Sequence, residues 1–201
     1  MRNVAAKTVW LALTGVIVVA SVVGIARHER QPRSGSVREI HVPRAAQPIV
    51  IDGETGDEAW QNVARTGAFR TLDGKSDTKP YSDARFTSKD GMLYVLLYAA
   101  DEDIRATDAF WVKLGEHAFE VSPTGKPKPD EGIRVGHDTD GTLEDPSDYD
   151  EEWAVELEVP LTWFPSGPIR VELGRCDTPK DGVKACSHWP SEDAVLVLDN
   201  R

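Results

Sequence analysis

The sequence predicts an all-β protein: an antiparallel two-sheet β-sandwich, jelly-roll or immunoglobulin-like, behind an N-terminal transmembrane helix. Three observations predict it. Nine or ten short apolar or alternating runs follow residue 36, most of them closed by Pro, Gly or Asp-Gly signals and the central one by the acidic turn Asp101-Glu102-Asp103. No long stretch of helical period occurs among them. Residues 9–26 form the one long uncharged apolar run, eighteen residues, at the threshold for crossing a bilayer.

The N-terminal elements come first. Residues 1–8 are a short flank carrying Arg2 and Lys7, and Arg27, Arg30 and Arg33 follow the apolar run. Gly24-Ile25-Ala26 is an acceptable cleavage site, so a signal peptide is the rival reading. The run is longer than an ordinary signal core, which favours an uncleaved anchor. Either way the domain is expected outside the cytoplasm. It is either held on the cytoplasmic membrane by a single pass, periplasmic or extracellular, or secreted after cleavage. Residues 27–47 form a polar linker and an edge strand, 37–42, in which apolar and polar residues alternate.

Residues 48–201 make the sandwich. Residues 49–51 read as a strand, Asp52-Gly53 as a turn, and Thr55 or Asp57 as the cap of a helical turn planting Trp60 on the core. Short strands are expected at 68–72 and 81–87, and Asp90-Gly91 closes a hairpin into the apolar run 92–100. Strands at 109–114 and 117–121 follow, then a long polar segment from 126 to 150. Residues 153–159 alternate strictly: Trp153, Val155, Leu157 and Val159 point inward, while Glu156 and Glu158 are expected to face water. Strands at 169–173 and 194–198 complete the set.

Charge and cysteine content exclude several classes. Residues 1–36 hold five basic residues and one acid, leaving 18 basic against 33 acidic residues, a net of −15, for the rest. Phosphate backbones would be repelled, so nucleic acid is not an expected partner. Cys176 and Cys186, ten apart, can close a disulfide in an exported domain. The acids Asp101, Asp103, Asp138 and Asp140 are candidate oxygen donors for calcium, with a solvated acidic surface as the plainer alternative. Asp138-x-Asp140-Gly141 falls short of an EF-hand loop. No Ser-His-Asp set, HExxH or phosphate loop occurs and the five histidines are scattered, so no enzyme is expected.

Taken in order, several motifs resemble carbohydrate-binding module family 9, with its DOMON-like sandwich. They are Asp52-Gly53-x3-Asp57-Glu58-Ala59-Trp60, Leu93-Tyr94-Val95 leading to Asp101, Asp108 opening a strand, Trp153 to Pro160, Arg175, and Ser187-His188-Trp189-Pro190. The resemblance covers residues 48–198. It implies a non-catalytic sandwich that binds a saccharide or cell-envelope glycan, often accessory to glycoside hydrolysis. It also implies a terminal sugar clamped between two tryptophans. Trp189 matches one of them, with Arg175 and His188 as polar help. The other has no counterpart, because Ile104-Arg105-Ala106-Thr107 leads straight to Asp108; Trp111 is the nearest tryptophan. An envelope interaction or scaffold domain that has lost the sugar site is the alternative function. A haem-binding redox subunit is the remaining one, with Met92 as its only internal methionine.

Overall fold

Two sheets pack face to face in this computed structural model, which describes residues 37–129, 132–145, 147–180, 182–190 and 193–199. The expected anchor at 9–26, its flank at 1–8 and the linker start at 27–36 lie outside the described residues. Among the described residues no helix is long and apolar enough to cross a membrane.

In chain order the strands are β1 (Arg38–Val42), β2 (Ala64–Arg65), β3 (Arg70–Thr71), β4 (Ser82–Lys89), β5 (Met92–Ala100) and β6 (Ala109–Leu114). They continue with β7 (His117–Val121), β8 (Pro127–Lys128), β9 (Arg134–Asp140) and β10 (Glu152–Pro160). The last three are β11 (Ile169–Asp177), β12 (Ala185–Trp189) and β13 (Ala194–Leu198). One sheet has the order β2-β4-β5-β10-β9; the other runs β1-β13-β11-β6-β7-β8, with β12 and then β3 added beside the far end of β11. All pairs are antiparallel except β1 with β13, which is parallel, so the expectation of a purely antiparallel sandwich is corrected there.

The core follows from the pleat. Leu93, Val95, Leu97 and Ala99 of β5 share the inner face with Trp153, Val155, Leu157 and Val159 of β10. Phe110, Val112 and Leu114 of β6 and Ile169, Val171 and Leu173 of β11 meet them from the other sheet. Each such side chain contributes about 1.5–3 kcal/mol by leaving water. The β4–β5 hairpin closes at Asp90 and Gly91, both at positive φ (48° and 82°), a conformation matched to strand twist.

Elsewhere the structure departs from the sequence reading. Residues 49–51 are not a strand but the start of a strap laid on the outside of the β5–β10 pair. Ile51 and Trp60 there bury Tyr94, Leu96 and Ala154 in a second, smaller core. Trp60 sits in a 3-10 turn, Glu58–Trp60, and Asp57 occupies the cap position without a side-chain hydrogen bond. Glu156, expected in water, is fully buried under this strap; Glu158 is half-buried. The polar segment 126–150 contains β9, and the cysteine loop contains β12.

Candidate functional site

Four separated segments meet at the end of the sandwich where β4 and β10 begin and β5 and β11 stop. They enclose a cleft of about 690 Å³. The segment before β4 supplies Lys79, Pro80 and Tyr81, and the turn after β5 supplies Asp101, Glu102 and Asp103. Tyr149 and Glu151 come from the approach to β10, and Asp177, Pro179 and Lys180 from the end of β11. Tyr81 is 42% exposed and Tyr149 67%, so both rings offer open apolar surface. The Tyr81 hydroxyl donates to Asp83 at 2.9 Å, and burial first, then this carboxylate, pushes its pKa up to about 12. The charge of Glu102 raises that of Tyr149. Both phenols are neutral donors at physiological pH.

The floor is rigid and charged. Arg175 is 2% exposed; its Nη2 donates to Asp101 at 2.8 Å and to Asp177 at 2.9 Å. Its Nη1 donates to the Ala100 carbonyl at 2.7 Å and to the Ser82 hydroxyl at 3.1 Å. The Trp153 indole N–H donates to the same Asp101 oxygen at 3.0 Å. One guanidinium thus holds together the ends of β4, β5 and β11. Asp108, fully buried behind the floor, accepts from the backbone N–H of Arg105 at 2.7 Å and of Thr178 at 2.8 Å.

Asp101, Asp108 and Asp177 bring carboxylate oxygens within 4.8 Å of one another. Burial, aided by the Asp101 charge, pushes the Asp108 pKa from 3.8 up to about 7, and burial also raises that of Asp177. Folding therefore tightens proton binding on these acids. The cost is absent below the unfolded pKa of 3.8 and grows to its full size as pH passes about 7. Unfolding midpoints of the wild type are expected to fall as pH rises from 4 to 8, with a visibly flatter slope in Asp108→Asn. Equal slopes in the two proteins would remove Asp108 as the source.

The calcium donors read from sequence are not brought together. Asp103 is tied to Arg105 through Nε at 2.8 Å and Nη2 at 2.5 Å, and Asp138 and Asp140 stand exposed on β9. Of that set only Asp101 belongs to the buried acidic group, and there the Arg175 guanidinium already bridges it to Asp177.

The sugar-contact residues read from sequence also divide. Trp189 is 3% exposed within the main core, with the Arg38 guanidinium 5.4 Å from its ring centroid, so neither face is open for stacking. Among the described residues its indole N–H has no hydrogen-bond partner. Trp189→Ala is expected to cost about 3–5 kcal/mol of stability by emptying a packed site. A melting temperature close to wild type would contradict that placement. Arg175 is a buried strut beneath the cleft. His188 and Trp111 are half-buried on the outer face of the larger sheet, away from the cleft. The disulfide is formed: Cys176 and Cys186 are register partners on β11 and β12, with Cα atoms 4.1 Å apart.

Comparison with solved structures places this geometry in a known fold. A family 9 carbohydrate-binding module from Caldicellulosiruptor kristjanssonii in complex with cellotriose superposes with TM-score 0.61 at 18% identity, over 82% of this chain and 95% of that one. The same kind of module in complex with glucose gives 0.59 at 18%, over 82% and 97%. A putative carbohydrate-binding protein from Bacteroides uniformis gives 0.54 at 11%, over 82% and 100%. No protein-family model matches the sequence, and no curated protein matches it. The fold is that of the family 9 carbohydrate-binding modules.

Proposed function

We propose that this protein is a non-catalytic saccharide-binding module, and that the end cleft receives one end of a glycan. The observation that carries the reading is the cleft itself: two exposed tyrosines beside charged side chains of both signs. Aromatic faces pack against sugar C–H surfaces, while Glu102, Glu151, Lys79 and Lys180 are placed to exchange hydrogen bonds with hydroxyls. The fold neighbours in complex with cellotriose and glucose support the ligand class.

The two buried acids nearest the floor support the non-catalytic reading. A glycosidase needs a free acid and a free nucleophile or base across the scissile bond. Asp108, the acid with the raised pKa, does not line the cleft, and each of its oxygens accepts from a backbone N–H. Asp101 is committed to the Asp103 N–H, Trp153 and Arg175.

Residues 9–26 complete the reading as an anchor that displays the domain outside the cytoplasmic membrane, next to envelope glycans or a glycan-degrading partner. Protease accessibility of intact cells tests that display. Binding is tested by calorimetric titration with glucose, cellotriose, xylotriose and chitotriose. Tyr81→Ala and Tyr149→Ala are each expected to weaken the best ligand about 5–10-fold, the loss of one stacking contact of about 1–1.4 kcal/mol. Unchanged affinity in both variants would place binding elsewhere.

A further inference from the structure

The larger sheet carries a second aromatic feature, outside the cleft and on its outer face. Six strands place one residue each in a single lateral register: Arg70 on β3, His188 on β12, Gly174 on β11, Trp111 on β6, Glu120 on β7 and Lys128 on β8. Register partners in antiparallel strands project to the same side, so all six belong to the outer face. At the centre, the Trp111 indole lies over Gly174: a Cβ built there would run into indole Nε1, Cε2 and Cζ2. Any larger residue at 174 would lift the ring off the sheet. Phe110, Val112 and Leu114 on either side in β6 point into the core, so the ring is fixed to a rigid strand.

We propose that this face is a second saccharide-binding surface, on which Trp111 stacks a pyranose ring within a polysaccharide chain. Three features select that occupant. The ring has a hydrogen-bonding side chain to each side, His188 and then Arg70 one way, Glu120 and then Lys128 the other. Neighbouring strands stand about 4.8 Å apart, so these groups lie within one or two sugar units of the indole. Trp111 is the one large apolar side chain of this row, and alanines (Ala109, Ala118) and the Lys113–Glu172 ion pair surround it. That is enough aromatic surface for one sugar ring and far too little apolar surface for the core of a stable protein interface. Finally, Arg70 pairs with Asp77 and Lys113 with Glu172, and Lys128 stands against Glu120, which leaves this face balanced on a strongly acidic protein and suits an uncharged chain.

The surface is independent of the cleft, so the two readings fail separately. The test is affinity electrophoresis of the full chain in gels containing hydroxyethylcellulose, xylan or galactomannan, beside the trisaccharide titration. Wild type is expected to be retarded by at least one of these polysaccharides. Trp111→Ala should lose that retardation while keeping its trisaccharide affinity and its melting temperature within a few degrees. Trp111→Phe should restore part of the retardation, and Tyr149→Ala should be retarded like wild type. The proposal is overturned if wild type migrates freely in all three gels, or if Trp111→Ala is retarded as strongly as wild type. It is also overturned if sedimentation shows a dimer that Trp111→Ala dissolves, since a second copy would then cover the face.

Discussion

Glu156→Ala is expected to lower the unfolding free energy by about 3–5 kcal/mol. The carboxylate is fully buried on the outer side of β10, beneath the strap formed by residues 51–60. One oxygen accepts from the backbone N–H groups of Asp52 and Gly53, each at 2.8 Å, and the other from the Trp60 indole N–H. Truncation leaves three donors facing a dry space, and each costs about 1–3 kcal/mol when unsatisfied. Burial raises the pKa of this acid while its three donors pull it down, so the donors are what keep the charge tolerable. Glu156→Gln keeps the shape but turns an amide NH2 toward donors, and should recover less than half of the loss. Urea midpoints of the two variants measure this. A loss below about 1 kcal/mol in the alanine variant would mean that water reaches these donors and the strap is not sealed.

Arg175→Met is expected to cost about 3–5 kcal/mol near neutral pH, because it strands Asp101 and Asp177 in the interior without a counter-charge. The deficit should be smaller at pH 5 than at pH 8. Burial already raises the pKa of Asp177 and the Arg175 charge holds it down, so without the guanidinium Asp177 binds its proton more tightly when folded and its penalty is felt only as pH rises and removes that proton. Urea unfolding of wild type and variant at the two pH values decides the matter. If the variant is as stable as wild type but fails to bind saccharide, Arg175 is a ligand contact and the strut assignment is wrong.

The sandwich was legible because its central strands are unusually regular. The alternation from Trp153 to Val159 and the apolar run behind Asp90-Gly91 turned out to be adjacent strands of one sheet. Alternation also misled, at Glu156, because it presumes that the polar face is wet. The strap that covers this face comes from residues about a hundred positions earlier, and no local pattern announces it. Trp189 was misplaced for a related reason. The turn residues Asp177-Thr178-Pro179 and Asp181-Gly182 between the cysteines read as a loop and hid β12, and once that strand exists, Ser187 and Trp189 fall on its inner face. The burial of Arg175 was recoverable: Val171, Leu173, Arg175 and Asp177 share one phase of β11, which places the guanidinium inside. The cleft was not recoverable in this way. Tyr81 reads as a strand start and Tyr149 as part of an acidic loop, and only the fold brings the two into one cavity.

The central claim is that a glycan end sits between the β4 approach and the loops before β10 and after β11. Amide chemical-shift mapping with glucose, cellotriose, xylotriose and chitotriose tests it most directly. The account predicts saturable shifts with at least one of them, concentrated at Tyr81, Glu102, Tyr149 and Lys180 and absent in the Tyr81→Ala/Tyr149→Ala double variant. No shift with any of the four sugars, or shifts that spare this cleft, would contradict it.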